Sequence, residues 1–306
     1  MKKFTLFASL LLFVLLLSGC GEIPEKTDAV TQITDSGVNP DSWAKVPAGA
    51  FLKGQFNKPA KIDYDYEIMV TEVTNSQYAT YLGEALAKGK IKMHDGKIMG
   101  YYPGDKFNGG KHEKKIEAKD YLHIDLNDPA SRITYDGKRF SVKPGYENHP
   151  VTMVTWFGAK AYCDFYGYRL PTDDEWEKAA RGTDGRPFPW GEEVSHANLN
   201  YYHSKDPFET DGGYSDTTPV GFYNGKRYGD FQTVDSASPY GLYDMAGNVG
   251  EWTGNLHYQV HYRNIRGGSK ATYAIDARVW KTNSSQPDYA GPSTGFRCVR
   301  DPIVTK

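Results

Sequence analysis

Apolar and polar positions alternate with frequent turn signals along the 306-residue chain, so short elements are predicted rather than long regular ones. The clearest helix signal lies near the start of the apolar pattern. Thr74 and Gln77 form a capping-box pair, and Gly89 supplies a stop. This combination predicts a helix at about residues 75–88.

Two more elements are predicted in the segment 149–182. A strand around Val151–Val154 leads into a helix around Trp156–Tyr166, which Gly167 ends.

A second capping box, Thr172 with Glu175, begins a further helix that ends at Gly182. Trp176 and Ala180 are four residues apart, so both are expected on its interior face.

Residues 89–148 are interpreted as an insertion. Residues 89–131 are rich in Lys, Asp and Gly, which favours a long surface excursion. The stretch "RITYDGKRFSV" that follows predicts a hairpin, with Asp136 and Gly137 as a two-residue type I′ turn.

Composition supports an irregular fold. The chain holds 32 Gly and 23 Tyr, and aromatic residues make up 14% of it, which suits many turns held together by large rings. The formal net charge is −2, so the balance of charge gives no indication of a nucleic-acid partner.

The first residues have the pattern of a secretory leader. Lys2 and Lys3 precede an apolar run, Phe4–Leu17, which is short for a membrane span. The run ends in "LSGC", which resembles the bacterial lipobox, so Cys20 is expected to carry lipid after removal of residues 1–19. An ordinary signal peptide with a chance cysteine is the alternative.

A polar segment, 20–43, then reads as a tether, and 44–302 as the folded domain. We therefore expect an extracytoplasmic protein anchored to a bacterial membrane through Cys20. Gly21 gives no retention cue for an inner membrane, so the outer membrane is expected if the cell has two.

Two cysteines remain besides Cys20. In an oxidising compartment Cys163 and Cys298 would form a disulfide, with two buried free thiols as the alternative.

The stretch "GLYDMAGNVGEW", residues 241–252, places two carboxylates, Asp244 and Glu251, around small residues. Such a loop suits either helix or strand poorly. Together with "HPV", "AYC", "RLPT", "EWE", "PWG", "RGGS" and "GFRC" in this order, it resembles the formylglycine-generating enzyme, or sulfatase-modifying factor, family from about Val46 to Arg300. The resemblance implies an irregular α+β fold related to C-type lectins, and a disulfide at Cys163 and Cys298.

The resemblance also implies bound calcium. Side chains of Asp244 and Glu251, with the carbonyls of Gly247 and Val249, match one family site, and hard Ca²⁺ prefers such oxygen ligands. The alternative is a metal-free turn braced by hydrogen bonds.

The second calcium site of the family maps onto Asn198, Leu199, Asp211 and Tyr214. Here too a metal-free loop is the alternative, and the alignment near Asp211 can slip by one residue.

One departure from the family changes the chemistry. Its oxidases hold copper with two cysteine thiolates that lie between "RGGS" and "GFRC". No cysteine lies between Ser269 and Cys298; the first position falls on Thr272 and the second on Ala274 or Ala277. Hydroxyl and methyl groups do not replace thiolates as ligands of Cu(I). No copper is expected, and formylglycine generation by that mechanism is rejected.

Other candidate sites are weaker. His257 and His261 are a close pair that a helix would align as metal ligands, but no helix is expected there, so exposed loop histidines are the alternative. The family's substrate groove would be lined by Trp252, Arg266, Ser269 and Trp280. Alternatively, Trp252 belongs to the core and Arg266 is paired internally.

Two functions are compatible with these observations. The first is a calcium-braced binding or structural module of the cell envelope, with a protein or glycan ligand. The alternative is a metal-dependent oxidase that uses iron or copper, related to formylglycine-generating or pyoverdine-maturation proteins. Whether the chain is an enzyme stays open.

Overall fold

The computed structural model describes residues 33–106, 115–210, 212–213, 215–257 and 261–302. The leader, Cys20 and most of the tether lie outside these residues, and so do Asp211 and Tyr214. Within the described ranges, no helix has the length and apolar character needed to cross a membrane.

The helices of the described residues are short and locally encoded. They are α1, Asn75–Ala87, α2, Trp156–Phe165, and α3, Asp173–Arg181. Both predicted capping boxes are formed. The hydroxyl of the N-cap residue, Thr74 or Thr172, accepts from the backbone N–H of the third helical residue, and the side chain of that residue, Gln77 or Glu175, accepts from the backbone N–H of the N-cap. Trp176 and Ala180 of α3 are both fully buried, as predicted.

The strands are short and form several small sheets. A four-stranded sheet has the order β14-β13-β12-β15, and two three-stranded sheets have the orders β1-β4-β16 and β5-β6-β7; β2-β3, β8-β9 and β10-β11 are two-stranded. The strands are β1 Trp43–Val46, β2 Gly49–Lys53, β3 Lys58–Ile62, β4 Tyr66–Met69, β5 Ile91–His94, β6 Lys97–Tyr102, β7 Lys119–Asp125, β8 Ile133–Tyr135, β9 Phe140–Val142, β10 Arg227–Tyr228, β11 Phe231–Gln232, β12 Gly250–Leu256, β13 Arg263–Arg266, β14 Thr282–Ser285, β15 Thr294–Gly295 and β16 Val299–Arg300.

The predicted strand at Val151–Val154 is wrong. Met153 has a φ of +60°, in the left-handed region, which interrupts an extended backbone. Only Val154 makes a ladder contact, an isolated bridge with Ile124.

The hairpin after the insertion is present, but its turn differs from the prediction. Tyr135 pairs with Phe140, so four residues connect β8 and β9 rather than two. Oδ1 of Asp136 accepts from the backbone N–H groups of Lys138 and Arg139 at 2.8 and 2.9 Å. The aspartate therefore organises the wider turn through its side chain.

The surface excursion predicted at residues 89–131 is wrong over the described residues 91–106 and 115–125. There, strands β5 to β7 form an antiparallel sheet, in which Ile98 and Ile124 are fully buried. The sheet packs on α2, where Tyr121 stacks on Phe157 with ring centroids 4.0 Å apart. Lys92, Lys97 and Lys119 occupy exposed strand positions, so a lysine-rich composition alone does not distinguish this sheet from a surface loop.

A disulfide joins the middle of the chain to its end. Cys163 in α2 is bonded to Cys298, which directly precedes β16, and both residues are fully buried. They belong to a core cluster that also contains Trp252 and Phe296. The bridge fixes α2 beside the strand that closes the β1-β4-β16 sheet.

Candidate functional site

The loop before β12 has a backbone that few residues adopt. Asp244 and Asn248 have φ values of +58° and +53°, and Gly247 has +87°. A Cβ atom on Gly247 would lie 2.4 Å from the carbonyl oxygen of Asn200. Small residues are therefore needed because the loop turns sharply while it passes close to another backbone segment.

The loop is wrapped around a carboxylate that the sequence did not single out. Oε1 of Glu72 accepts from the backbone N–H of Val249 at 3.2 Å, and Oε2 accepts from Nδ2 of Asn248 at 2.9 Å. Glu72 is fully buried. A lone acid inside the largely apolar run "IMVTEV" is the one signal that could have identified it.

Glu251 is held by an arginine from the end of the chain. Nε and Nη2 of Arg297 donate to its two carboxylate oxygens, each at 2.8 Å. Nε1 of Trp176 donates to Oε2 at 2.9 Å. The side chains of this pair are fully buried. Arg297 also donates to the carbonyls of Met69 and Tyr243, so it ties β4 to the loop.

Buried acids outnumber buried cations in this cluster. Glu72, Asp244 and Glu251 interact electrostatically with one another and with the single guanidinium of Arg297. Burial raises the pKa of Asp244 to about 6, and burial followed by the charge of Asp244 raises the pKa of Glu72 well above its usual value. A bound cation or a proton would relieve this excess of negative charge.

Asp244 and Glu251 keep acceptor capacity that their hydrogen bonds to described residues do not use. Oδ2 of Asp244 accepts from the N–H of Gly221 at 2.6 Å, whereas Oδ1 makes no hydrogen bond to a described residue. Among the described residues, Oε1 of Glu251 accepts only from Arg297, which leaves it one lone pair. In the described ranges no three His, Cys, Asp or Glu side chains converge as a metal-binding group. A calcium ion here would therefore depend on carbonyls such as those of Gly247 and Val249.

The second predicted calcium site is only partly described. Oδ1 of Asn198 accepts from the N–H and the hydroxyl of Ser195 at 2.9 and 2.7 Å, which braces a turn. Leu199 is buried, and Asp211 and Tyr214 lie outside the described residues. This site stays a prediction.

A cleft of about 650 Å³ adjoins the loop, and we call it the groove. Gly250 of β12, which follows directly on the loop, and Ile265 of β13 contribute to its lining. Most of the remaining lining side chains are uncharged and carry hydroxyl or amide groups. The polar lining includes Ser269, Thr272, Asn283, Ser284, Ser285, Tyr289, Ser293 and Thr294.

Thr272, which the resemblance matches to the family's first copper ligand, closes a turn with its hydroxyl. Oγ1 of Thr272 accepts from the N–H of Ser269 at 2.9 Å and donates to the carbonyl of Ser269 at 3.0 Å. Ala274 and Ala277, the alternatives for the second ligand, bound a 3₁₀ turn. The hydroxyl of Thr272 is used locally, so it braces the groove wall.

Three of the four predicted groove residues do not line the groove. Trp252 is fully buried, and its Nε1 donates to the carbonyl of Val154 at 3.2 Å. Nη2 of Arg266 donates to Glu177 at 2.7 Å inside the protein. Trp280 packs under the guanidinium of Arg181. Of the four residues, only Ser269 lines this cleft; as in the alternative given above, Trp252 belongs to the core and Arg266 is paired internally.

The histidine pair is not on a helix. Strand β12 ends at Leu256, and the backbone N–H of His257 donates to the carbonyl of Tyr262 at 2.9 Å. Nδ1 of His257 lies 2.7 Å from Oδ1 of Asn264. His257 and His261 themselves lie in bends and are not helical, so neither position shows the helical backbone that would align the pair on a metal.

The fold and the buried loop define a formylglycine-generating-enzyme-like domain. The family model for the "Sulfatase-modifying factor enzyme 1-like domain" matches residues 31–302, so the chain belongs to this family.

Curated relatives resemble part of the chain. It is 36% identical over 159 residues to the inactive C-alpha-formylglycine-generating enzyme 2 of Bos taurus, covering 49% of this chain and 49% of that protein. It is 34% identical over 189 residues to the serine/threonine-protein kinase pkn1 of Chlamydia caviae, covering 56% of this chain and 27% of the kinase. The chain thus spans about half or less of these two relatives.

Solved structures share the fold across most of the domain. PvdO from Pseudomonas aeruginosa has a TM-score of 0.53 at 20% identity, covering 85% of this chain and 94% of that chain. CarF has a TM-score of 0.52 at 21% identity, covering 85% and 98%. At these identities the likeness shows the irregular α+β fold alone.

Proposed function

We propose that this protein is a lipid-anchored, extracytoplasmic binding or structural module of the bacterial cell envelope. The observation that carries the proposal is the groove. It retains about 650 Å³ and a hydroxyl- and amide-rich lining, while the hydroxyl of Thr272 is committed to a turn where the family's oxidases carry a copper thiolate. Such a groove offers hydrogen bonds and shape to a protein or glycan ligand.

We propose that a bound calcium ion stabilises the loop that leads into β12. Asp244 and Glu251 would hold it by side chain and Gly247 and Val249 by carbonyl, where it would neutralise the buried carboxylates and fix the loop that leads into β12. Support comes from the excess of buried acids over Arg297 and from the raised pKa of Asp244. Asn198 and Leu199 would contribute to a second ion in the same way.

The anchor is proposed from the leader alone. The "LSGC" stretch and the polar segment 20–43 support lipidation of Cys20 and a tether that holds the domain off the membrane, the outer one if the cell has two. One acyl chain gives only marginal membrane binding, so stable anchoring needs the several chains of a mature lipoprotein.

Photo-cross-linking in the groove tests the binding role. A benzophenone amino acid replaces Ser284 of β14 in the full-length protein in its own membranes. The proposal expects one discrete adduct, which is lost when Asn283→Trp fills the groove and is not formed from a benzophenone at Tyr101, an exposed residue of β6. Equal labelling from both positions, or none from Ser284, would overturn it.

A further inference from the structure

A second cleft, of about 660 Å³, lies where the chain enters the domain. It shares no lining residue with the groove. We call it the aromatic cleft, and we define it by Asp41, Trp43, Gln77, Tyr166, Tyr168 and Arg300.

One wall of the aromatic cleft consists of partly buried rings. Trp43 and Tyr168 meet edge to face with centroids 4.8 Å apart. Tyr166 and Tyr168 are 6.1 Å apart with an angle of 30° between their planes, so two ring faces run nearly parallel. The three side chains remain partly exposed rather than joining the core completely. Ring faces of this kind bind C–H groups of a flat ligand through dispersion and the ring quadrupole.

The polar rim offers both an acceptor and donors. Oδ1 of Asp41 accepts from Nε2 of Gln77 at 2.8 Å, while Oδ2 makes no hydrogen bond to a described residue. Nε of Arg300 donates to Glu67 at 2.7 Å. Its two Nη atoms make no hydrogen bond within the described part of the chain, and the guanidinium lies 4.2 Å from the ring centroid of Trp43.

The aromatic rings, the carboxylate of Asp41 and the guanidinium of Arg300 together indicate which class of ligand fits the cleft. A polyanion would be repelled by Asp41, and an alkyl chain would make no use of Oδ2 of Asp41 or of the Nη groups of Arg300 at the rim. A pyranose ring has C–H faces that fit aromatic rings, and hydroxyl edges that donate to a carboxylate and accept from a guanidinium. Both requirements are met by the same ligand.

We infer that the aromatic cleft is a saccharide-binding site that takes a sugar unit of an envelope glycan. Trp43, the last residue of the predicted tether, begins β1, so the cleft lies where the predicted tether meets the domain. The saccharide class rests on the cleft itself, and only the envelope as its source rests on the proposed function.

Calorimetric titration of the full-length protein in detergent tests the inference. The probes are the trisaccharide of N-acetylglucosamine and peptide-free glycan strands of peptidoglycan. We expect saturable binding of at least one probe, with an affinity reduced on the order of tenfold by Tyr166→Ala and also reduced by Asp41→Ala. Tyr101→Ala removes an exposed tyrosine elsewhere and should leave the affinity unchanged.

A groove variant separates this inference from the proposed function. Tyr289→Ala alters the groove but not the aromatic cleft, so it should not change saccharide binding. No saturable binding of either probe at millimolar concentration would overturn the inference. So would binding that Tyr166→Ala leaves intact. Failure of the groove cross-link with saccharide binding retained would count against the proposed function alone.

Discussion

Glu251 and Arg297 form a fully buried, two-point ion pair that joins the start of β12 to the segment that leads into β16. Glu251 comes from the "GEW" motif and Arg297 from "GFRC", 46 residues apart. The two motifs depend on each other, because either charge alone would be buried in the core without a partner and would destabilise the fold.

Breaking this pair should be costly. Arg297→Met leaves Glu251 buried without its partner, so we expect the free energy of unfolding to fall by about 3–5 kcal/mol in urea titrations. Arg297→Lys should recover little, because an ammonium group does not reproduce the two-point geometry. Arg186→Met, which breaks a half-exposed pair with Asp184, should cost less than about 1 kcal/mol. Equal losses for both positions would contradict the account.

Gly247 is constrained by space as well as by backbone angle. Gly247→Ala places a Cβ 2.4 Å from the carbonyl oxygen of Asn200, so we expect a loss of about 2–4 kcal/mol in the free energy of unfolding. Gly137→Ala is the matched control, since its φ of +92° is similar and nothing lies within 4 Å of the added Cβ. Its loss should stay near 1 kcal/mol. Similar losses at both positions would mean that contact with Asn200 is unimportant.

The disulfide closes a large loop. Its two cysteines are 135 residues apart, so the chain-entropy estimate of its contribution is about 5 kcal/mol, and 2–5 kcal/mol is a realistic expectation. The double variant Cys163→Ala with Cys298→Ala should lose that amount in urea unfolding. Reductant should destabilise the unsubstituted protein and leave the double variant unchanged. A double variant as stable as the original would show that the bridge is dispensable.

Two buried histidines should make the fold sensitive to acid. Burial lowers the pKa of His123 and of His149 to about 4, from an ordinary value of 6.5. Their contribution is complete above about pH 6.5, because both states are then neutral, and it is lost as pH falls toward 4, because only the unfolded state binds protons. The slope is up to about 1.4 kcal/mol per pH unit for each histidine.

Unfolding measured between pH 7 and 4 tests this expectation. Replacing both buried histidines with glutamine should reduce the slope, whereas His94→Gln, at an exposed position, should not. An unchanged slope in the double variant would assign the acid sensitivity to other groups.

Local signals in the sequence predicted the local structure. Thr74 with Gln77 and Thr172 with Glu175 fix the starts of α1 and α3, because a capping box needs only residues within one helical turn. The strand predicted at Val151–Val154 is absent because Met153 has a left-handed backbone conformation, which the pattern of hydrophobic residues does not reveal.

The site was less predictable because its partners are distant in sequence. Glu72 is separated in sequence from its partner Asn248 in the loop by more than 170 residues, and Arg266 is 89 residues from its partner Glu177. The ordered motifs indicated which loop is important. They left open whether Arg266 and Trp252 point inward or into the groove, since the direction of a strand's side chains depends on the assembled sheet.

Elemental mass spectrometry of the purified full-length protein, after dialysis against metal-free buffer, tests the central claim most directly. The account predicts about one or two Ca per chain, without stoichiometric Fe or Cu. It also predicts that Asp244→Ala removes calcium, while Asp230→Ala, at an exposed position, does not. Near-stoichiometric Fe or Cu would contradict the account, favour the metal-dependent oxidase, and make His257 and His261 the first residues to replace.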